Sequence, residues 1–238
     1  MTTAEVDVLI DHKMGDFFLS KLRDAREKLW IMSPWISPDF IDLLLEKKTA
    51  GVDVRVITTN DYVSGQKEAL GKLIENHTRI VKPENTTQKN IGLALIVGGM
   101  LLAFFTKGLG LILSIVGLVL YLIGREKSET YWVSKLGENN LKILESNPYK
   151  MVHAKIYVAD NTVVMGSANL TGNGTRRSIE SMAVMQSAEL ATKVCEMMNG
   201  VPIELKLKEI SYDSVGRDIQ HVETKRNYSY RKNSFRRY

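Results

Sequence analysis

The stretch MVHAKIYVADNTVVMGSANLTG, residues 151–172, decides how the rest of the chain is read. Alternate residues of a strand share a face. His153, Lys155 and Tyr157 are therefore expected on one side, with Val152, Ala154, Ile156 and Val158 turned into a core. KIYVADNTVVMGS reads as a β-hairpin, and Ser167 and Asn169 repeat the same alternation on its return strand. A two-residue Asp160-Asn161 turn would pair Lys155 with Gly166 and put Ser167 on the wrong face. A three-residue connection, or one bulge, pairs Lys155 with Ser167 and His153 with Asn169, and that register is expected. An imidazole and an ammonium opposed by a hydroxyl and a carboxamide make a compact anion site. Lys155 supplies point charge, Ser167 and Asn169 neutral donors, and His153 a nucleophile or proton carrier with a pKa near ~6.5. The set suits a phosphoryl group.

Working outward, KLWIMSPWIS reads as a strand ending in a Ser/Pro-rich loop that carries Trp35. PDFIDLLLEKKTAG follows as an amphipathic helix, with Pro38 near its start and Gly51 at its stop. VDVRVITT is an alternating strand, SGQKEALGKLIENHT a helix and RIVKP a short strand. Beyond the middle of the chain, LKILES reads as a strand and SAELATKVCEMMNG as a helix. Strands alternating with helices predict an α/β fold, a sheet flanked by helices. Cys195 falls in the last of these helices as a small buried residue, and a single cysteine excludes an internal disulfide framework. No second copy of the 153–169 pattern occurs; in DHKMG, 11–15, His12 and Lys13 are adjacent and would face opposite ways.

The largest break in composition is IGLALIVGGMLLAFFTKGLGLILSIVGLVLYLIG, residues 91–124, in which Lys107 is the only charge. Thr106-Lys107-Gly108 divides it into two apolar arms, and Gly98, Gly99, Gly110 and Gly117 would allow two helices to pack closely. If the residues before and after this run share one domain, the chain must leave a membrane on the side it entered. A transmembrane helical hairpin turning at Lys107 is therefore expected, either spanning or re-entrant, since each arm measures roughly 23–26 Å. Lys82, Lys89, Arg125 and Lys127 flank it on the domain side, which puts the domain in the cytoplasm. The N-terminus MTTAEVDVLIDHK lacks the pattern of a signal peptide. At the other end, residues 222–238 hold six Lys or Arg against one Glu, interleaved with Tyr228, Tyr230, Phe235 and Tyr238. That tail carries the whole net charge of +5 and suits an anionic lipid surface, a nucleic acid, or plain solvent. The predicted organisation is a first domain part at 1–88, the hairpin at 89–125, a second domain part at 126–205 and the tail at 206–238.

HAKIYVAD followed by GSAN resembles the HxKxxxxD…GSxN signature of the phospholipase D superfamily, and Glu180, eleven residues after Asn169, falls where that family has an acidic partner of its histidine. The resemblance covers roughly residues 5–200 without the hairpin and implies a phospholipase D-like mixed sheet flanked by helices. It further implies that His153 attacks phosphorus to form a phosphohistidine, that Lys155, Ser167 and Asn169 hold the phosphoryl oxygens, and that Glu180 orients the imidazole. Asp160 completes the signature and, in a turn, also suits a structural role. A second histidine must protonate the leaving oxygen, and only His12, His77 and His221 remain, none in a matching motif. A homodimer that brings two His153 residues together is the expected solution. No cofactor and no metal is expected, since no His/Asp/Glu cluster has ligand spacing. A membrane-anchored phosphodiesterase acting on phospholipid is the expected function; a membrane-tethered endonuclease and a non-enzymatic membrane scaffold are the alternatives.

Overall fold

The computed structural model describes residues 4–220 except 13, 64, 148 and 205. The basic aromatic stretch 222–238 lies outside the described residues. Along the chain, β1 (Glu5–Asp11) and α1 (Met14–Asp24) lead into β2 (Lys28–Met32), α2 (Pro38–Thr49), β3 (Asp53–Thr59) and α3 (Gln66–Leu73). Next come β4 (Ile74–Lys82), α4 (Thr86–Phe105), α5 (Gly110–Gly124) and β5 (Lys127–Ser134). The chain returns through β6 (Leu141–Leu144), β7 (Ile156–Ala159), β8 (Thr162–Gly166), α6 (Gly172–Arg176), β9 (Glu180–Gln186) and α7 (Ala188–Glu204). Two compact units result, one built from the residues before 77 and after 131, the other His77–Tyr131.

In the first unit seven strands form one sheet in the order β1-β9-β8-β7-β2-β3-β6. β2, β3 and β6 run parallel, as the helical crossover α2 requires, and the remaining neighbours are antiparallel. The sheet is mixed and carries helices on both faces. Leu29, Ile31, Val56 and Tyr157 pack with Phe18, Ile41, Leu44 and Leu70 from α1, α2 and α3. On the opposite face Trp30, Met32, Val158 and Val163 pack with Ala191, Val194 and Met198 of α7. Cys195 is buried there too, and burial pushes its thiol above the ordinary range.

Burial on both faces corrects the expected alternation around the hairpin. Tyr157 is fully buried and stacks on Phe18 with ring centroids 5.2 Å apart, whereas Ala154 is exposed. β7 begins only at Ile156, so His153 and Lys155 precede the strand. The register is also corrected: Ala159 pairs with Thr162 and Ile156 with Met165, which leaves a two-residue Asp160-Asn161 turn. Lys155 O therefore accepts from Gly166 N, not from Ser167. The helix expected to run on to Thr78 stops at Leu73, where Ile74 opens β4 against β5.

In the second unit α4 and α5 form a hairpin whose turn uses two left-handed residues, Lys107 (φ 49°) and Gly108 (φ 100°). The pair is held at backbone contact. A Cβ on Gly92 would meet Gly117 O at 2.7 Å, and one on Gly99 would meet Ser114 N at 2.6 Å and Gly110 O at 2.7 Å. A Cβ on Gly124 would likewise meet Lys89 N at 2.8 Å. Gly92, Gly99, Gly110, Gly117 and Gly124 thus repeat at seven-residue intervals along each seam, the spacing of two helices packed nearly antiparallel. Gly98, expected in this seam, has nothing within 4 Å of its Cβ position, because it is one residue out of step. The bulky residues point outward: Phe104 is 93% exposed and Phe105 84%. By length and composition α4 is apolar enough to cross a membrane, with a mean hydropathy of 1.5, and α5 is a shorter apolar helix.

Candidate active site

The site forms where the β7, β8 and β9 ends meet the loop after β2. Lys155 is buried to 5% exposure, and its Nζ lies 2.9 Å from His153 Nδ1, 3.1 Å from His153 Nε2 and 2.7 Å from His153 O. Burial draws the ammonium below the ordinary lysine range, while the Glu180 carboxylate pulls it back up. His153 itself is exposed, as a group that meets substrate must be.

The two-residue turn does not remove Ser167 from the site. Ser167 lies just past β8, and its N–H donates to Ser181 O at 2.9 Å on β9. Its Oγ accepts from Ser181 N at 3.0 Å and donates to Glu180 Oε2. A Cβ on Gly166 would run into Ser181 O, so the residue before Ser167 has to be glycine for β8 to approach β9. Among the described residues Glu180 accepts a hydrogen bond from the Ser167 hydroxyl. The reason is local: the short turn brings Ser167 opposite Ser181, next to Glu180. Asn169 follows at the same rim, and its Oδ1 is buried without a hydrogen-bond partner. Gly174 of α6 packs on the Asn169 backbone, where a Cβ would meet Asn169 O at 2.6 Å.

Asp160 stands apart from these five, at the far end of β7. Its carboxylate accepts from the backbone N–H groups of Arg26, Glu27 and Lys28 at 2.9, 2.8 and 3.0 Å. Burial works to raise its pKa, but the three donors outweigh it and hold the carboxyl below the usual range. Its contacts tie the α1–β2 connection to the β7–β8 turn and touch no other member of the site.

Trp35 sits in the loop that follows β2. It lines a cleft of about 340 Å³ together with Ser37, Asn169, Thr171, Asn173 and Glu180. Its ring meets His153 in a T-shaped contact, centroids 5.9 Å apart and planes at 84°. The cleft is lined by hydroxyls, amides and the Glu180 carboxylate, and the exposed imidazole at its Trp35 wall, with the Lys155 ammonium beside it, can engage an anionic diester. Among the described residues no group of three His, Cys, Asp or Glu stands where it could hold a metal ion.

A family model described as cardiolipin synthase, PLD-like domain, matches residues 18–201. The chain belongs to the phospholipase D superfamily. The match spans most of the chain, both sides of the helical hairpin, and supports phosphodiester chemistry at this site. No curated protein matches the sequence. Among solved structures, the phospholipase D family member Nuc from Salmonella typhimurium is 15% identical, with 88% of this chain and 99% of Nuc covered at a TM-score of 0.47. NucT from Helicobacter pylori is 12% identical over 82% of this chain and 93% of its own, at 0.46. A phosphatidylserine synthase from Haemophilus influenzae is 12% identical over 98% of this chain and 47% of its own, at 0.48. These likenesses are distant.

Proposed function

We propose that this phospholipase D superfamily member is a membrane-anchored, metal-independent phosphodiesterase that hydrolyses phospholipid. The observation that carries the choice of lipid is the α4–α5 hairpin, a glycine-seamed pair whose bulky apolar residues are largely exposed. Inserted in a bilayer it would bury those side chains and tether the catalytic domain to the membrane, with Lys107 at its tip and the domain in the cytoplasm. In the reaction, a nitrogen of His153 forms a bond to phosphorus as the bond to the leaving oxygen breaks. Lys155 and Asn169 compensate and bind the nonbridging oxygens, and Ser167 joins them from the other strand when its hydroxyl turns from Glu180 to the phosphoryl group. The leaving oxygen takes a proton from a second imidazolium, assigned to the partner subunit's His153 across a two-fold axis. That imidazole then accepts a proton from water, whose oxygen attacks phosphorus and releases His153 and a phosphomonoester.

The basic tail supports the alternative of a tethered nuclease, since six cations interleaved with aromatic rings suit a nucleic-acid strand as well as a lipid surface. One assay separates the readings. Purified protein in EDTA is given phospholipid vesicles and single-stranded DNA, alongside His153→Asn. Release of headgroup by the native chain alone is the expected result; DNA cleavage without lipid turnover would replace lipid by nucleic acid, and full turnover by His153→Asn would sink the phosphohistidine.

A further inference from the structure

The His153 ring has Trp35 and Lys155 as neighbours. The imidazole is exposed, and of the two Lys155 must let go in order to bind a phosphoryl oxygen. A nucleophilic ring still has to point one nitrogen along the line of attack. The remaining contact is Trp35, and the loop that carries Trp35 is fixed at every residue. Ser33 is fully buried, and its Oγ donates to Trp35 O at 2.8 Å while accepting from Leu170 N at 3.3 Å. Pro34 O accepts from the buried hydroxyls of Thr58 and Thr59, at 3.2 and 2.9 Å. The Ile36 N–H donates to the buried Gln66 Oε1 at 2.7 Å, and the Ser37 N–H to Leu170 O at 2.9 Å. At the free end of this platform the indole N–H of Trp35 donates to Asp61 Oδ2 at 3.2 Å, which fixes the ring as well as the backbone.

We propose that Trp35, clamped by Asp61, is a positioning residue of His153: it holds the imidazole plane. The inference rests on the reading of His153 as the nucleophile, but the geometry it claims can be measured without turnover. Perpendicular aromatic packing favours one ring orientation over others, and an indole held by its own N–H cannot rotate to follow the imidazole. Asp61 acts only through Trp35, so its removal must reproduce part of the Trp35 phenotype.

The test uses the full chain in detergent micelles with isotopically labelled histidine. Four histidines are present, and His153→Asn assigns the signal that matters. The imidazole protons of His153 are expected to show the ring-current shift of a neighbouring indole, lost in Trp35→Ala, kept in Trp35→Phe, and reduced in Asp61→Ala. In vesicle turnover, Trp35→Ala is expected to lower kcat about tenfold with KM within twofold, Trp35→Phe to recover to within threefold, and Asp61→Asn, which keeps an acceptor, to stay near the native rate. A His153 signal unaffected by Trp35→Ala overturns the proposal. So does a change confined to KM, which would make Trp35 only a wall of the cleft. If the native chain turns over no diester, the function proposed above fails, and the ring-current measurement alone decides the role of Trp35. Should Trp35→Ala not fold, the comparison of Trp35→Phe, Asp61→Ala and Asp61→Asn decides it.

Discussion

The two units of this chain invert each other's packing. Around the sheet, Phe18, Ile31, Leu44 and Tyr157 are buried and water meets the polar side chains. In the α4–α5 pair the buried residues are glycines, and Phe104, Phe105, Leu109 and Ile112 face outward. The first pattern is what expulsion of apolar area from water produces. The second arises where apolar area costs nothing to expose and helices associate through close backbone contact. Under the proposed function one chain carries elements suited to two different surroundings, and its chemistry sits on the water-facing one.

The sharpest way to break that division is at the nucleophile. His153→Asn is expected to reduce turnover at least about a thousandfold, with unchanged binding to vesicles in a flotation assay. Vesicle binding lost together with activity would mean that the two units are not independent. Next comes the seam. Gly99→Leu places a side chain against Gly110 O and Ser114 N, where even a Cβ would be 2.6–2.7 Å away. It is expected to cost the helix pair about 3 kcal/mol, read as earlier loss of helical signal on heating in micelles, with His153 chemistry retained in detergent. Equal thermal stability of the variant would show that the glycines are not what joins the helices.

Asp160→Ala tests a joint within the sheet unit. Removing an acceptor of three backbone N–H groups is expected to cost about 2 kcal/mol in chemical denaturation. Because the native carboxyl lies below its unfolded pKa, its contribution is present above the unfolded value and fades as pH falls through the lowered one. Native and variant stabilities should therefore converge in acid. A catalytic Asp160 would instead lower kcat without this loss of stability.

What the sequence made legible follows from the range of the forces involved. The hairpin at 156–166 and the helices at α2 and α7 declare themselves because local periodicity and turn chemistry suffice. The membrane-type composition of 91–124 and the residues of the signature are equally local. β1 and α1 were not legible, for EVDVLID forms a strand only by pairing with β9, at the other end of the chain. The turn was misjudged because the demand that Ser167 face the site was taken to fix the register. In fact Ser167 reaches Glu180 from beyond the strand end, with Ser181 as its neighbour. The setting of Trp35 was not legible for a related reason: it rests on partners at 58, 59, 61 and 66 that no motif marks.

A milder change sharpens the electrostatics of the site. Burial holds the Lys155 ammonium below the ordinary lysine range, so kcat/KM should fall on the alkaline side earlier than a surface lysine would predict. Lys155→Arg keeps the charge to higher pH. It is expected to lose no more than about tenfold in rate at neutral pH while moving the alkaline limb upward. An alkaline limb that stays in place in Lys155→Arg would assign it to a group other than Lys155.

The smallest expected effect comes from the neighbouring pair Gly98 and Gly99. Both are helical glycines in the same apolar run, and composition gives no reason to treat them differently. Only Gly99 lies in the seam; the Cβ position of Gly98 has open space for at least 4 Å. Gly98→Ala should therefore lose nothing by contact and gain helix propensity, a stabilisation of about 0.5–1 kcal/mol in the absence of other effects. Gly99→Ala, with the same propensity gain, should be destabilised, because its methyl group meets backbone that cannot move aside without parting the helices. Opposite signs of the shift in melting temperature for these adjacent variants are the expected outcome. Equal shifts would mean that the pair is held by its apolar surface in general and not by the glycine seam, and the contrast between the two units would then rest on exposure alone.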